Sequence, residues 1–295
     1  MSGTQARNTH PVVTDGAWGT QLQLLGLALG ECPDAWNLAH PERVASVARA
    51  YVDAGSQVIL TNTFGANSLA LERYGLADKA AELNRAGARL SREAAEGRAQ
   101  VYASMGPSRR RLAAGELRVT DLQAAFEQQA FALAEGGAQG LVLETFTDLD
   151  ELLVALQCAR QTGLPVIACM AFDTEENRDR TATAVTLEQA VHALEQAGAD
   201  GIGANCGSGA AGYVSICQRL ARLTGTPLWL KPNAGLPAID GGGNITYGVT
   251  PDEFAAEVSK LSAAGASWVG GCCGSGPDFI RAIARELRST RQDTR

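Results

Sequence analysis

Three features of the chain predict a single α/β domain, a (β/α)8 TIM barrel. A short apolar run followed by an amphipathic segment of helical period recurs eight times. The amphipathic segments tend to stop at glycine just before the next run, as helices do before a parallel strand. The 295 residues contain no Pro/Ser-rich linker, a length that suits one large barrel with a full core. An open, doubly wound sheet is the alternative. It is the weaker reading, because no glycine-rich phosphate-binding turn follows the first run.

The eight runs are Val12–Gly16, Val58–Phe64, Val101–Gly106, Leu141–Phe146, Val166–Phe172, Ile202–Cys206, Leu228–Asn233 and Trp268–Cys273. Each reads as a short, largely apolar run, as buried parallel strands do. Between them lie helical segments such as Pro41–Ala54, where Val44, Val47, Ala48, Tyr51 and Val52 share one face. Pro41 suits a first helical turn, and Gly55 suits the stop. Further stops are expected at Gly136-Gly137, Gly163, Gly198, Gly225 and Gly265. The barrel is expected over residues 11–287, between flexible tails at 1–10 and 288–295.

Composition narrows the function. Hydrophobic residues make up 45% of the chain and charged residues 19%, as in soluble globular proteins. A net charge of -7 argues against nucleic-acid or anionic-membrane partners. No apolar run is long enough to span a bilayer, and the first residues carry no secretory signal. Seven scattered cysteines, an odd number, point away from a disulfide framework and toward a reducing cytoplasm.

In a barrel the chemistry sits at the C-terminal ends of the strands. The first run ends in Asp15-Gly16-Ala17-Trp18-Gly19-Thr20, the fourth in Glu144-Thr145, the sixth in Asn205-Cys206 and the seventh in Lys231-Pro232-Asn233. The last ends in Gly270-Gly271-Cys272-Cys273-Gly274. Loops following strands explain polarity at these ends, but not three cysteines and a lone glutamate within apolar runs. Cys206, Cys272 and Cys273 form a ligand set for one soft-to-borderline cation, by default Zn2+. Neighbouring side chains on a strand point to opposite faces, so the backbone must leave strand geometry at Cys272-Cys273. The flanking glycines permit it. Buried small hydrophobes or a strained vicinal disulfide are the competing readings of the paired cysteines. The sixth and eighth strands flank the seventh, so Asn233 is expected beneath the ion. There its amide oxygen can fill a fourth position, unless it serves only as a turn residue. His10, His40 and His192 read as packing or loop residues.

Three thiolates leave an open coordination position and an electron-rich metal. Such a site activates water poorly but suits a substrate thiolate that must remain nucleophilic. The chemistry indicated is alkyl transfer to a thiol. A zinc hydrolase with Glu144 as base is the alternative.

The chain resembles the zinc-dependent homocysteine S-methyltransferases. The likeness rests on Asp15-Gly16-Ala17-Trp18-Gly19-Thr20, on Asn205-Cys206 and on Gly270-Gly271-Cys272-Cys273-Gly274, and covers nearly the whole chain. Residues 59–67 and 232–237 are most similar to the homocysteine module of cobalamin-dependent methionine synthase. Trp18 stands where members often carry Met or Phe. The resemblance implies that Cys206, Cys272 and Cys273 hold zinc, and that a methyl group moves onto the zinc-bound thiolate of L-homocysteine to give methionine. It also implies that Asp15, Gly16, Ala17 and Glu144 surround the amino-acid end of the substrate. The fourth strand lies across the mouth from the eighth, so Glu144 can face the ion, and a lone carboxylate there suits an ammonium group. One barrel uses the chain, so the expected methyl donor is a small sulfonium (S-methylmethionine or S-adenosylmethionine) or a separate methylcorrinoid protein. Another thiol acceptor is the variant of this reading.

Overall fold

The computed structural model describes residues 11–110, 117–174, 179–239 and 245–293. His10 and the expected N-terminal tail lie outside them. Within β1 (Val12–Val13), β2 (Val58–Ile59), β3 (Gln100–Met105), β4 (Gly140–Phe146), β5 (Val166–Met170), β6 (Gly201–Gly209), β7 (Leu228–Asn233) and β10 (Trp268–Val269) the ladders are parallel. They follow the order β1-β10-β7-β6-β5-β4-β3-β2. This is a nearly closed (β/α)8 barrel, as the alternation of apolar runs and helices predicts. A small antiparallel hairpin, β8 (Pro237–Ile239) and β9 (Ile245–Tyr247), rises from the loop after β7. Nothing in the apolar patterning signals it.

The seam between β1 and β2 explains why both strands are shorter than the apolar runs. Gln57 N–H donates to Val13 O at 2.7 Å, but the remaining partners are side chains. Val13 N–H donates to Gln57 Oε1 at 3.0 Å, and Leu60 N–H to Asp15 Oδ2 at 2.7 Å. Ser104 N–H likewise donates to Thr61 Oγ1 at 3.1 Å. Side chains have replaced ladder carbonyls, so the backbone groups stay satisfied without regular strand.

The outer layer consists of α3 (Pro41–Ala54), α5 (Ala80–Ala95), α6 (Val119–Glu135), α7 (Leu149–Arg160), α8 (Leu187–Gln196), α9 (Ala210–Leu223), α10 (Pro251–Ala263) and α11 (Pro277–Asp293). Short helices α1 (Trp18–Leu24), α2 (Trp36–Ala39) and α4 (Ser68–Leu71) decorate the first two loops at the barrel mouth. α3 has the expected bounds: Pro41 opens it, Gly55 closes it at φ 106°, and the anticipated face is buried. Thr186 and Thr250 close reciprocal capping boxes with Gln189 and Glu253, which fixes the starts of α8 and α10. α11 remains helical past residue 287 to Asp293. His192 is exposed on α8, and His40 packs edge-on against Trp36 at 4.6 Å. None of the helices among the described residues is long and apolar enough to cross a membrane.

Two apolar regions hold the barrel. One fills the space between strands and helices; the other, inside the barrel, contains Val58, Leu60, Tyr102, Val142, Ile167, Cys169 and Trp229. Tyr102 and Trp229 stack with centroids 6.4 Å apart, and Trp268 tilts against Trp229 at 5.8 Å. This plug closes the lower barrel and leaves the C-terminal mouth as the place for a cavity.

Candidate active site

A cavity of about 330 Å3 opens at the C-terminal ends of the strands. That is the size of a small-molecule site. Gly16, Ala17, Glu144, Lys231, Cys206, Cys272 and Cys273 all line it. Five strands and the loops after them (β1, β4, β6, β7 and β10) thus deliver these residues to one cavity.

The three cysteine sulfurs lie within 4.8 Å of one another, and Cys206 Sγ is 4.0 Å from Cys273 Sγ. Tetrahedral bonds of about 2.3 Å place neighbouring sulfurs roughly 3.8 Å apart, so one ion fits between them with little rearrangement. As expected, the chain leaves strand geometry after Val269. Gly270 and Gly271 have no room for a side chain: a Cβ would stand 2.0 Å from Thr14 Oγ1 and 2.1 Å from Ser275 Oγ respectively. Cys272 N–H donates to Pro232 O at 2.7 Å, and Ser275 Oγ donates to Cys272 O at 2.6 Å. Cys206 sits at φ 65°, a left-handed conformation costly for a residue with a Cβ. Its carbonyl accepts from Tyr213 Oη at 2.6 Å.

The thiols share charge. Hydrogen bonds from Cys272 and Cys273 push the Cys206 thiol down to about 3, with help from Gly207 N–H and Asn233 against the effect of burial. The same sharing pushes Cys272 well up and Cys273 up to about 11. All seven cysteines are free. This donor set, all sulfur and ready to hold negative charge, fits a soft-to-borderline divalent cation.

Asn233 contacts the cysteine turn. Its Oδ1 accepts from Cys273 N–H at 3.1 Å and its Nδ2 faces Gly207 O at 3.4 Å. The oxygen expected beneath the ion thus also braces the cysteine turn. Asn205, a motif residue to which the sequence assigned no role, ties two walls together. Its Oδ1 accepts from Thr145 N–H at 2.8 Å, and its Nδ2 donates to Thr145 Oγ1 at 2.6 Å and approaches Cys272 Sγ at 3.8 Å. Thr145 has φ 63°, so Asn205 holds two strained positions, Thr145 and its own neighbour Cys206, in register. Tyr247, from the unforeseen hairpin, closes over the cluster. Burial, followed by the negative cysteines, pushes its phenol up to about 12.

Asp15 lies beneath the cavity lining rather than in it. It is fully buried, and its oxygens accept from Lys231 Nζ at 2.5 Å, Trp18 Nε1 at 2.7 Å and Leu60 N–H at 2.7 Å. Held by these three hydrogen bonds, it supports the floor of the cavity, while Gly16 and Ala17 reach the lining. Lys231 is the residue the sequence reading missed. A lysine closing the apolar run Leu228-Trp229-Leu230 was the available signal. Burial works against its charge, but Asp15 and Glu144 outweigh burial and hold its ammonium above the usual lysine range.

Glu144 is 9% exposed and accepts from Ser104 Oγ. Burial raises its carboxyl above the ordinary range, opposed by Lys231 and Ser104. Lys231 thus stands between two carboxylates, of which Glu144 is the one that lines the cavity.

Residues 12–287 match the profile of the homocysteine S-methyltransferase family. The chain belongs to that family. It is 31% identical over 300 residues to methionine synthase of Mycobacterium tuberculosis and 33% identical over 299 residues to that of Mycobacterium leprae. These alignments cover 96% of this chain but 25% of each relative, so the chain spans about a quarter of their length. In structure it is similar to the metallated homocysteine methyltransferase MmuM of Escherichia coli, with a TM-score of 0.77 at 24% identity, covering 94% of this chain and 96% of that one. The apo form of the same protein matches at 0.71. At that identity the structural likeness speaks for the fold.

Proposed function

We propose that this family member is a thiol methyltransferase that moves a methyl group onto L-homocysteine to give methionine, with Zn2+ held by Cys206, Cys272 and Cys273. The observation that carries the reading is the arrangement around one cavity: a three-sulfur cluster on β6 and the loop after β10, with the buried Glu144 on β4 lining the same space. When bound, zinc would keep the acceptor thiol deprotonated and nucleophilic near neutral pH.

The chain's own residues supply position and charge. Glu144 pairs with the substrate ammonium; Ser104 orients its carboxylate, and Lys231 and Ser104 favour its ionised form against burial. Gly16 and Ala17 close the wall against the amino-acid end. Asp15 keeps Lys231 in place, and Asn205 and Asn233 hold the cysteine-bearing turns. The acceptor sulfur forms the new S–CH3 bond as the donor's bond to that methyl breaks, and the thiol proton passes to solvent. A reducing cytoplasm suits seven free cysteines. The donor is a small sulfonium or a separate methylcorrinoid protein.

The test is methyl transfer to homocysteine from S-methylmethionine, S-adenosylmethionine and methylcobalamin, alongside metal analysis of the purified protein. Methionine formation that depends on bound zinc is the expected result. Transfer to other thiols but not to homocysteine would replace the acceptor, and no transfer from any donor would end the reading.

A further inference from the structure

One buried carboxylate in the cavity wall has no part in holding the acceptor. Asp34, in the 3-10 turn Pro33–Ala35, is 4% exposed and lines the cavity. Its Oδ1 accepts from Gly65 N–H at 3.1 Å. Its Oδ2 has the Cys32 thiol at 3.8 Å. Among the described residues no lysine or arginine forms an ion pair with it. A buried carboxylate with so little compensation is costly, and burial pushes it up to about 6. The position is nonetheless held firmly. Asn62 Nδ2 donates to Pro33 O at 2.7 Å, and a Cβ on Gly65 would come within 2.8 Å of Asp34 Oδ2. The loops after β1 and β2 clamp the carboxylate at the cavity wall.

A cation stands near it without touching it. Arg109, in the loop after β3, lines the same cavity, with its guanidinium 5.9 Å from the Phe64 ring centroid. It is exposed, makes no ion pair among the described residues and has φ 62°. The strand order places the loops after β2 and β3 opposite β6, the strand that carries Cys206. The sulfur cluster of β6 and the loop after β10 marks one side of the cavity, with Glu144 between the two sides on β4, next to β3. The other side pairs an anion with a separated cation, the complement of an ammonium and a carboxylate on one carbon.

We propose that Asp34 and Arg109 form a second head-group site that takes the ammonium and carboxylate of an amino-acid sulfonium donor. The proposal rests on the transferase reading above and narrows its donor. With the head group fixed at this end, the sulfonium methyl is directed toward the acceptor sulfur. The donor's C–S bond breaks with its electron pair left on the donor sulfur, which becomes a thioether. The acceptor gains the methyl and its thiol proton goes to solvent, so atoms and charge balance. S-methylmethionine is the simplest donor with this head group.

The test is calorimetric titration of the zinc-loaded protein with S-methylmethionine, and separately with homocysteine, for wild type, Asp34→Asn and Arg109→Gln. Arg109 is exposed, so its variant tests the site without threatening the fold. S-methylmethionine should bind about ten- to a hundredfold more weakly to each variant, the size of one charge-assisted hydrogen bond. Homocysteine binding should not change. In turnover, dimethylsulfoniopropionate, which has the carboxylate but no ammonium, should be impaired by Arg109→Gln and not by Asp34→Asn. Donor affinity indifferent to both substitutions, or homocysteine affinity falling as far as donor affinity, would overturn the site. So would a wild type that takes methyl from methylcobalamin but does not bind S-methylmethionine; the transferase reading would then survive alone. Donor binding that needs both residues, in a protein that methylates no thiol, would sustain the site and end the transferase reading.

Discussion

Trp229 and Lys231 lie two residues apart on β7, so the strand's period of two places them on one face, and yet they meet opposite surroundings. Trp229 stacks on Tyr102 in the apolar plug of the lower barrel. Lys231, one layer up, is equally buried but carries a charge held by Asp15. The same change of rule occurs on neighbouring strands. On β3, Tyr102 is followed by Ser104, and on β4, Val142 by Glu144. The lower layer gains from close packing and removal of apolar surface from water. In the upper layer each group is tolerable only because its partner is present. A cavity lined by such groups can accept charge from a ligand with little reorganisation. A packed plug beneath it keeps the strand ends, and hence the ligands, in place.

The largest effect should come from the sulfur cluster at the top. Cys206→Ser, Cys272→Ser or Cys273→Ser is expected to lose zinc and methyl transfer together, while far-UV circular dichroism stays at the wild-type level. Metal analysis by mass spectrometry checks the first part. A Cys272→Ser protein with full zinc would remove the cluster's assigned role, and collapse of the dichroism signal would show that the lower layer does not hold the fold unaided.

Stability should separate the two layers next. Lys231→Met leaves the Asp15 carboxylate buried without its cation, and should cost about 3–5 kcal/mol in urea unfolding. Ile167→Val in the lower layer should cost about 0.5–1.5 kcal/mol. The double variant Asp15→Asn/Lys231→Met should recover part of the first loss, since the Asp15 charge is then no longer orphaned while Glu144 still lacks its cation. Equal costs for the two single variants would erase the distinction between the layers.

Glu144→Gln should weaken homocysteine binding by about ten- to a hundredfold, corresponding to about 1.5–3 kcal/mol for a charge-assisted hydrogen bond. Zinc content should be unaffected. The acceptor 4-mercaptobutyrate has no ammonium, so it should lose little from the substitution. Equal loss for both thiols, measured with one donor, would show that Glu144 does not read the amino group.

The last expected change is a gain. Asp34 binds its proton more tightly in the folded chain, near 6, than a free aspartate does at about 3.9. Between these values the folded state holds more protons than the unfolded state. Its contribution therefore lowers stability as pH rises from about 4 to about 6, and stays level above. Asp34→Asn removes that fall. The variant should be more stable than wild type at pH 7 by up to about 3 kcal/mol, with the difference vanishing near pH 4. Thermal unfolding across that pH range checks it. A variant less stable than wild type at neutral pH would mean that the carboxylate is already compensated.

The barrel and its sulfur cluster were legible because both depend on local pattern. Apolar runs, helical periodicity and glycine stops repeat at short range, and Gly270-Gly271 beside Cys272-Cys273 announces a backbone that must bend. Glu144 was legible as a charge in an apolar run. By the same token Lys231 could have been nominated, but whether such a charge serves a ligand or a neighbour depends on what faces it. That was a tertiary matter. Asp15 and Lys231 are 216 residues apart and meet only because β7 and β1 both flank β10. The pairing makes Asp15 a support beneath the cavity lining. In the same way the Cys273 N–H reaches the oxygen of Asn233. Asp34 was not singled out at all, because an aspartate after proline in a loop looks like any solvated turn residue. Its meaning came from the loops that close around it. Residue type and spacing determined which groups reach the barrel mouth. Only the closing of the barrel decided which of them were already hydrogen-bonded and which were left for a ligand, because that depends on partners far away in the chain.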